Sequence, residues 1–161
     1  METPKKSIVA EIRKASPADA SALTEVLRSV DYFTHLIELP FKEAYAMVAR
    51  ALQRDLERDD HLVLLAENAD GRILGYCAVH WLPYLFFDGP EGYVSELFIH
   101  KSARGQGVGA RLLEAVKVEA RQRGCQRLSL LNGRMRDSYQ RGFYKKKGWR
   151  ERDMANFVFD L

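Results

Sequence analysis

The chain is predicted to fold as an α/β (α+β) protein, with a single mixed, mostly antiparallel sheet of about seven strands flanked by about four helices. Three observations carry this. An apolar run at residues 93–99 enters a turn holding Gly105, Gly107 and Gly109, and an amphipathic stretch over 108–123 leaves it, which reads as strand, turn, helix. Two more apolar runs, 61–67 and 72–82, flank Asn68-Ala69-Asp70-Gly71, a hairpin signal. Two helical patterns, one opening at Ser16-Pro17 and one over 41–58, come before that hairpin. Hairpins mixed with strand-helix units imply a sheet of mixed direction.

Residues 8–13 alternate Ile8, Ala10 and Ile12 with Val9, Glu11 and Arg13, a short first strand. Ser16 is placed to cap a helix with Pro17 in its first turn, and Ala20, Leu23, Leu27 and Val30 fall on one face. Residues 31–40 read as a loop rich in aromatic and apolar groups. The helix over 41–58 sets Ala44, Met47, Val48, Ala51 and Leu52 on one side. Gly75, inside the returning strand 72–82, signals a bulge or close packing. The loop 83–92 carries Tyr84, Leu85, Phe86 and Phe87, an apolar set that suits a pocket wall or a partner surface. Val108, Leu112, Val116 and Ala120 stripe the helix after the glycine turn, and Gly124 follows its end as a C′ residue. A strand over 127–131, a helix from Asp137 through Lys147 stopped by Gly148, and a final hairpin of 149–152 with 155–160 complete the order.

With 161 residues the chain reads as one domain, 1–161, able to bury roughly 70% of its unfolded surface. Apolar residues make up 47% and charged residues 29%, which excludes a disordered or membrane-spanning class. The net charge of +3 is too weak to imply nucleic acid. Cys77 and Cys125 have no metal or redox spacing, and reduced thiols fit a cytoplasmic protein. The N-terminus has no apolar signal core, and no apolar run is long enough to span a bilayer, so no membrane partner is expected.

The glycine turn, Arg104-Gly105-Gln106-Gly107-Val108-Gly109, organises the chain. Glycines accept positive φ and put no Cβ between backbone and ligand. The first amides of the following helix lack intrahelical acceptors and carry the positive end of its dipole, so the turn suits a phosphate or diphosphate. Three patterns compete for it. A dinucleotide fingerprint fits Gly105-x-Gly107-x-x-Ala110, but it wants an acid about 20 residues on, where Leu131 and Asn132 stand. A P-loop needs Gly-Lys-Ser/Thr, which is absent. The third, Arg/Gln-x-x-Gly-x-Gly/Ala, is met by Arg104, Gly107 and Gly109. It resembles the acetyl-CoA signature of the GNAT superfamily of N-acetyltransferases. Asn132 followed by Gly142-Phe143-Tyr144-Lys145-Lys146-Lys147-Gly148-Trp149 resembles that superfamily's second block, with Trp149 where a phenylalanine is usual.

The resemblance covers nearly the whole chain and implies the GNAT fold. It implies an acetyl-CoA-dependent enzyme that acetylates a primary amine of a small molecule or peptide by direct transfer in a ternary complex. By family position, the cofactor contacts are Leu97, Phe98 and Ile99 on the strand, Arg104, Gly105, Gln106, Gly107, Val108 and Gly109 in the turn, and Asn132, Ser138 and Tyr144 beyond. A bulge in strand 97–99 would free an amide for the thioester oxygen.

The chemistry has three electrostatic tasks: the amine must lose a proton, the thioester oxygen needs a donor, and the leaving sulfur needs a proton. Tyr144 matches the tyrosine that protonates the sulfur in many relatives. Its alternative is a buried aromatic anchor. Glu96 is the one acid inside the central strand and a candidate for an acceptor-side role, although in several relatives the acid stands one residue earlier, at Ser95 here. His35, His80 and His100 read as structural or surface groups, and no pair of them has ligand spacing, so no metal is expected. Tyr32, Trp81 and Tyr84 are further candidates to line the acceptor pocket. The basic run from Arg141 to Arg152 reads first as a solvated face. Dimers are common in the family, and the loop 83–92 is a candidate homodimer contact. Two other functions stay open: a non-catalytic acyl-CoA-binding sensor or adaptor, and an acetyltransferase of protein N-termini or lysines.

Overall fold

Asp19 fixes where the first helical segment starts. Its carboxylate accepts from the Ser16 amide at 2.7 Å and from two Arg13 nitrogens at 2.9 and 2.7 Å. The Arg13 guanidinium holds the Asp19 carboxyl down at about 2. The capped end begins as one 3-10 turn, Pro17–Asp19, and continues as α1, Ala20–Ser29. In this computed structural model, which describes residues 9–161, the first strand is β1, Glu11–Lys14; Ile8 lies outside the described residues. Residues 31–40 contain a short helix, α2, Thr34–Glu38, where only a loop was expected. Arg28 donates to the Leu36 and Leu39 carbonyls at 3.0 and 2.6 Å, which ties that turn to α1. The next helix, α3, spans Phe41–Leu56.

The hairpin forms as expected: β2 is His61–Glu67 and β3 is Ile73–Leu82, with the Asn68 side chain accepting from the Asp70 and Arg72 amides. β4, Glu91–Ile99, starts two residues before the expected strand. α4, Val108–Gln122, ends at Gly124 (φ 67°), where the Cys125 and Gly124 amides close back onto Ala120 and Arg121. β5 is Arg127–Leu130. The sheet order is β1-β2-β3-β4-β5, antiparallel throughout except for the β4–β5 pair.

The sheet is covered on both faces. Val63, Leu65, Tyr76 and Ala78 on one face pack with Ala20, Leu23 and Val26 of α1 and Leu52 of α3. Residues of the opposite parity, among them Leu64, Cys77 and Val79, are buried under α4, whose Leu112, Leu113 and Val116 are fully buried. Cys77 is buried and Cys125 half-buried, both as free thiols.

The chain divides into two compact units, residues 1–130 and 131–161. In the second, the expected helix 137–147 is two pieces: α5, Asp137–Gln140, and a 3-10 turn, Lys145–Lys147. Gly142 breaks it by taking φ 65°, and the Phe143 and Gly142 amides then close onto Ser138 and Tyr139. The expected C-terminal hairpin does not form, so the described residues hold five strands rather than about seven. Glu151 is drawn to Lys145 at 2.7 Å and Tyr139 at 2.8 Å instead of a strand partner. Phe157, Phe159 and Leu161 are exposed, and a two-stranded ribbon with no packed face is marginal in water.

Gly75 sits under β4, where a Cβ would come 2.7 Å from the Phe98 carbonyl oxygen and the Ile99 side chain. Gly75→Ala is expected to destabilise the protein by about 1–3 kcal/mol through overpacking against backbone, read as a lower urea midpoint at unchanged slope.

Candidate active site

The site is built on a defect in β4. Ala78 pairs with Glu96 and Val79 with Val94, so Ser95 is the extra residue of a bulge. The bulge lies two residues before the strand segment 97–99 where one was expected. It also changes which side chains are neighbours. Ser95 Oγ lies 2.8 Å from His80 Nε2, and Glu96 Oε2 accepts from the Tyr76 hydroxyl. Tyr76 and His80 are two strand positions apart on each side of Ala78, so consecutive residues Ser95 and Glu96 reach the same face of the sheet, the one covered by α1 and α3.

On its other side β4 loses its partner at the same place. β5 pairs from Glu91↔Arg127 to Val94↔Leu130 and ends there. Among the described residues no strand pairs with that edge from Ser95 to Ile99. The backbone amides and carbonyls of the 97–99 segment that point away from β3 therefore have no strand partner.

The strand runs out through His100 and the 3-10 turn Lys101–Ala103 into the glycine turn. Gly105 and Gly107 take φ 75° and 81°, which only glycine accepts at low cost. Gly107 is the N-cap of α4, no side chain caps the helix, and the first intrahelical bond runs from Arg111 to the Gly107 carbonyl. A Cβ built on Gly107 would meet nothing within 4 Å, so the space over the turn is open. The amides of Val108, Gly109 and Ala110 thus stand with the helix dipole and without an intrahelical acceptor. The side chains beside the turn are partly engaged: Gln106 Nε2 donates to the Ser102 carbonyl at 2.9 Å, and Arg104 Nε lies 3.5 Å from the Ile99 carbonyl oxygen.

Glu96 is half-buried, and desolvation pushes its carboxyl up, partly offset by the Tyr76 hydroxyl. Tyr76 itself is held as a firm donor, since burial and the Glu96 charge raise its phenol well above the usual value. Phe98 follows on the same face and meets Phe33 edge-on at 4.9 Å between centroids; Tyr32 and His35 extend this aromatic cluster. Trp81 is buried in the sheet, and Tyr84 stacks within the loop 83–92 on Phe86 and Phe87. His100 binds the Ser102 amide and faces Arg72.

The remaining candidates lie in the second unit. Ser138 Oγ donates to Asn132 Oδ1 at 3.1 Å, and Asn132 Nδ2 is buried with no hydrogen-bond partner among the described residues. Tyr144 is half-buried between Phe143 and Trp149, with centroids 5.0 and 6.1 Å away. Gly148 (φ 82°) closes the turn after it.

The His80–Ser95 contact is the feature that sequence reasoning missed. Its signal was faint: a serine where an acid was expected, opposite a histidine in the neighbouring strand. No cluster of three or more ligating side chains is present among the described residues, and no described helix is long and apolar enough to cross a membrane.

Removing the donor beside Glu96 has a defined sign. Tyr76→Phe is expected to raise the Glu96 carboxyl further, since the lost hydrogen bond had favoured the charged form. A carbon-13 carboxyl titration of both proteins reads this; an unchanged or lower midpoint would refute it.

Comparison with known proteins agrees with this geometry. The pattern of the Acetyltransferase (GNAT) family matches residues 30–149. Glucosamine 6-phosphate N-acetyltransferase 1 of Oryza sativa subsp. japonica is 34% identical over 97 residues, 59% of this chain and 56% of its own length. The uncharacterized N-acetyltransferase YhfO of Bacillus subtilis (strain 168) is 27% identical over 142 residues, 87% of this chain and 89% of its own. Among solved structures, a protein described as a transcriptional regulator from Bacillus halodurans C-125 superposes with a TM-score of 0.83 at 22% identity, over 95% of this chain and all of that one. The fold, the broken β4 edge and the glycine turn thus have one common explanation, and the chain belongs to the GNAT family of acetyltransferases.

Proposed function

We propose that residues 1–161 form one N-acetyltransferase domain that moves the acetyl group of acetyl-CoA to a primary amine of a small molecule or peptide, by direct transfer in a ternary complex. The observation that carries this reading is the open β4 edge at 97–99 leading into the uncapped start of α4. An extended amide-bearing chain with a diphosphate at one end fits such a path. The family match, which runs from residue 30 to residue 149, supports treating the glycine turn and Tyr144 as parts of one enzyme. The rice relative, whose name specifies an amino sugar phosphate, supports a small-molecule acceptor.

The residues divide the work. The amides of Val108, Gly109 and Ala110 and the positive end of α4 bind the diphosphate, and Gly105 and Gly107 let the backbone come close. Arg104 and Gln106 flank it. The backbone of Leu97, Phe98 and Ile99 pairs with the pantetheine amides, and Asn132 and Ser138 supply a further polar contact. Bound acetyl-CoA supplies an acyl group already activated as a thioester. Glu96 attracts and orients the acceptor's ammonium with the carboxylate oxygen that Tyr76 leaves available. Tyr144 gives its phenolic proton as the carbon–sulfur bond breaks, so that CoA leaves as a neutral thiol. A phenol can give such a proton without ionising first.

A thiol-release assay over a panel of amino sugars, diamines and alanine- or lysine-bearing peptides tests the activity. Release with at least one amine is expected; CoA binding without release for any of them would instead identify a non-catalytic acyl-CoA sensor. Tyr144→Phe is expected to lower kcat on the order of 10²-fold while leaving CoA affinity within about twofold. Unchanged turnover under conditions where chemistry limits the rate would remove Tyr144 from the mechanism.

A further inference from the structure

Five polar side chains outside the residues assigned above form one line from β4 to the start of β2. Ser95 Oγ is 2.8 Å from His80 Nε2. The His80 ring meets the His61 ring edge-on, with centroids 4.2 Å apart. His61 Nδ1 is 2.6 Å from Asp60 Oδ1, and Arg58 holds both oxygens of that carboxylate at 2.9 and 2.7 Å. The line starts beside Glu96 on the face covered by α1 and α3. His61 and His80 are cross-strand partners, which makes the line a consequence of register. Ser95 is exposed and His80 half-buried, so the chain of groups begins where an acceptor would stand and ends near water.

We propose that Ser95 and His80 together carry the acceptor's proton away, with Ser95 as the group that touches the amine and His80 as its base. The step rests on the acetyl-transfer reading. The acceptor ammonium passes one proton to Ser95 Oγ as Ser95 passes its own hydroxyl proton to His80 Nε2. The free amine then attacks the thioester carbon, and the His80 imidazolium releases the proton to solvent. Over the cycle the acceptor nitrogen loses two protons: one reaches solvent through His80, and the second, shed as the tetrahedral adduct collapses, replaces through solvent the proton that Tyr144 gave to the CoA sulfur, so the protein retains neither. The route needs neutral His80 to carry its hydrogen on Nδ1. Every group around His80 bears on that state. Burial and the neighbouring His61 lower its pKa, Arg58 lowers it further, and Asp55 of α3 and Asp60 oppose them; the Tyr93 ring of β4 lies 6.5 Å from it between centroids. The net direction is downward, so the imidazole is free to accept at neutral pH.

This assignment also gives Glu96 a compatible part. Its carboxyl accepts from Tyr76, which fixes it as an orienting charge beside the ammonium, while the proton moves to the next residue along the strand.

The test combines kinetics with a spectroscopic readout. Thiol release is followed against pH with glucosamine 6-phosphate, spermidine and an alanine-starting peptide as probes. His80→Asn is expected to lower kcat/KM on the order of 10²-fold and to abolish the acidic limb of its pH profile, whereas Glu96→Gln lowers activity but keeps that limb. Ser95→Ala, at an exposed position that preserves folding, is expected to lower kcat on the order of tenfold. Long-range nitrogen-15 spectra of the imidazoles should show neutral His80 with hydrogen on Nδ1 and a midpoint below the usual histidine value. Wild-type activity with an acidic limb intact in His80→Asn, or an Nε2–H tautomer, would overturn the relay alone. Absence of thiol release by the wild-type protein with every probe would overturn the acetyl-transfer reading, and the relay with it.

Discussion

A strand with partners on both sides has no spare backbone groups. β4 is held by β3 along its length but by β5 only as far as Val94, and at the next residue its register with β3 also slips. Both irregularities fall at Ser95. The first leaves the amides and carbonyls of 97–99 that point away from β3 without a strand partner. The second turns two consecutive side chains, Ser95 and Glu96, to one face. Most of the candidate chemistry in residues 1–130 follows from this double interruption.

The sheet then separates two functions by face and by end. α4 covers one face and presents its uncapped N-terminus at the far end of the broken strand. α1 and α3 cover the other, and there the polar groups of β2, β3 and β4 are admitted only with partners: Glu96 with Tyr76, Ser95 with His80, His61 with Asp60. Half-burial without full desolvation lets these groups keep charges or exchange protons. Complete burial of the same carboxylate or imidazole would force it neutral.

The elements legible in the sequence were those set by local chemistry. Positive φ at Gly105, Gly107 and Gly124 has few alternatives, so the turn, the start of α4 and its end could be placed from residue type. The hairpin was equally plain from Asn68 to Gly71. The bulge was not, since no residue at 94–96 demands it; it arises from the fit of β4 against β3. The His80–Ser95 contact depends on that slip and was hidden with it. Gly142 did carry a readable signal, a glycine inside a helical pattern, and it ends α5. In the last residues, alternation at Phe157, Phe159 and Leu161 resembled a strand, but periodicity names a face without supplying a surface to cover it.

At the near end of the β4–β5 pair, Glu91 is almost fully buried, bonded to Arg127 at 2.6 Å and accepting from Ser129, and the Arg127 guanidinium lies 4.8 Å over the Phe87 ring. Losing Arg127 would leave the Glu91 carboxylate stranded away from water, so this corner resists opening. The two strands are thus pinned like the joint of a pair of tongs. Beyond that joint β4 stays fixed because β3 holds it as far as Ile99, and the loop carrying Phe87 is clamped to the same joint.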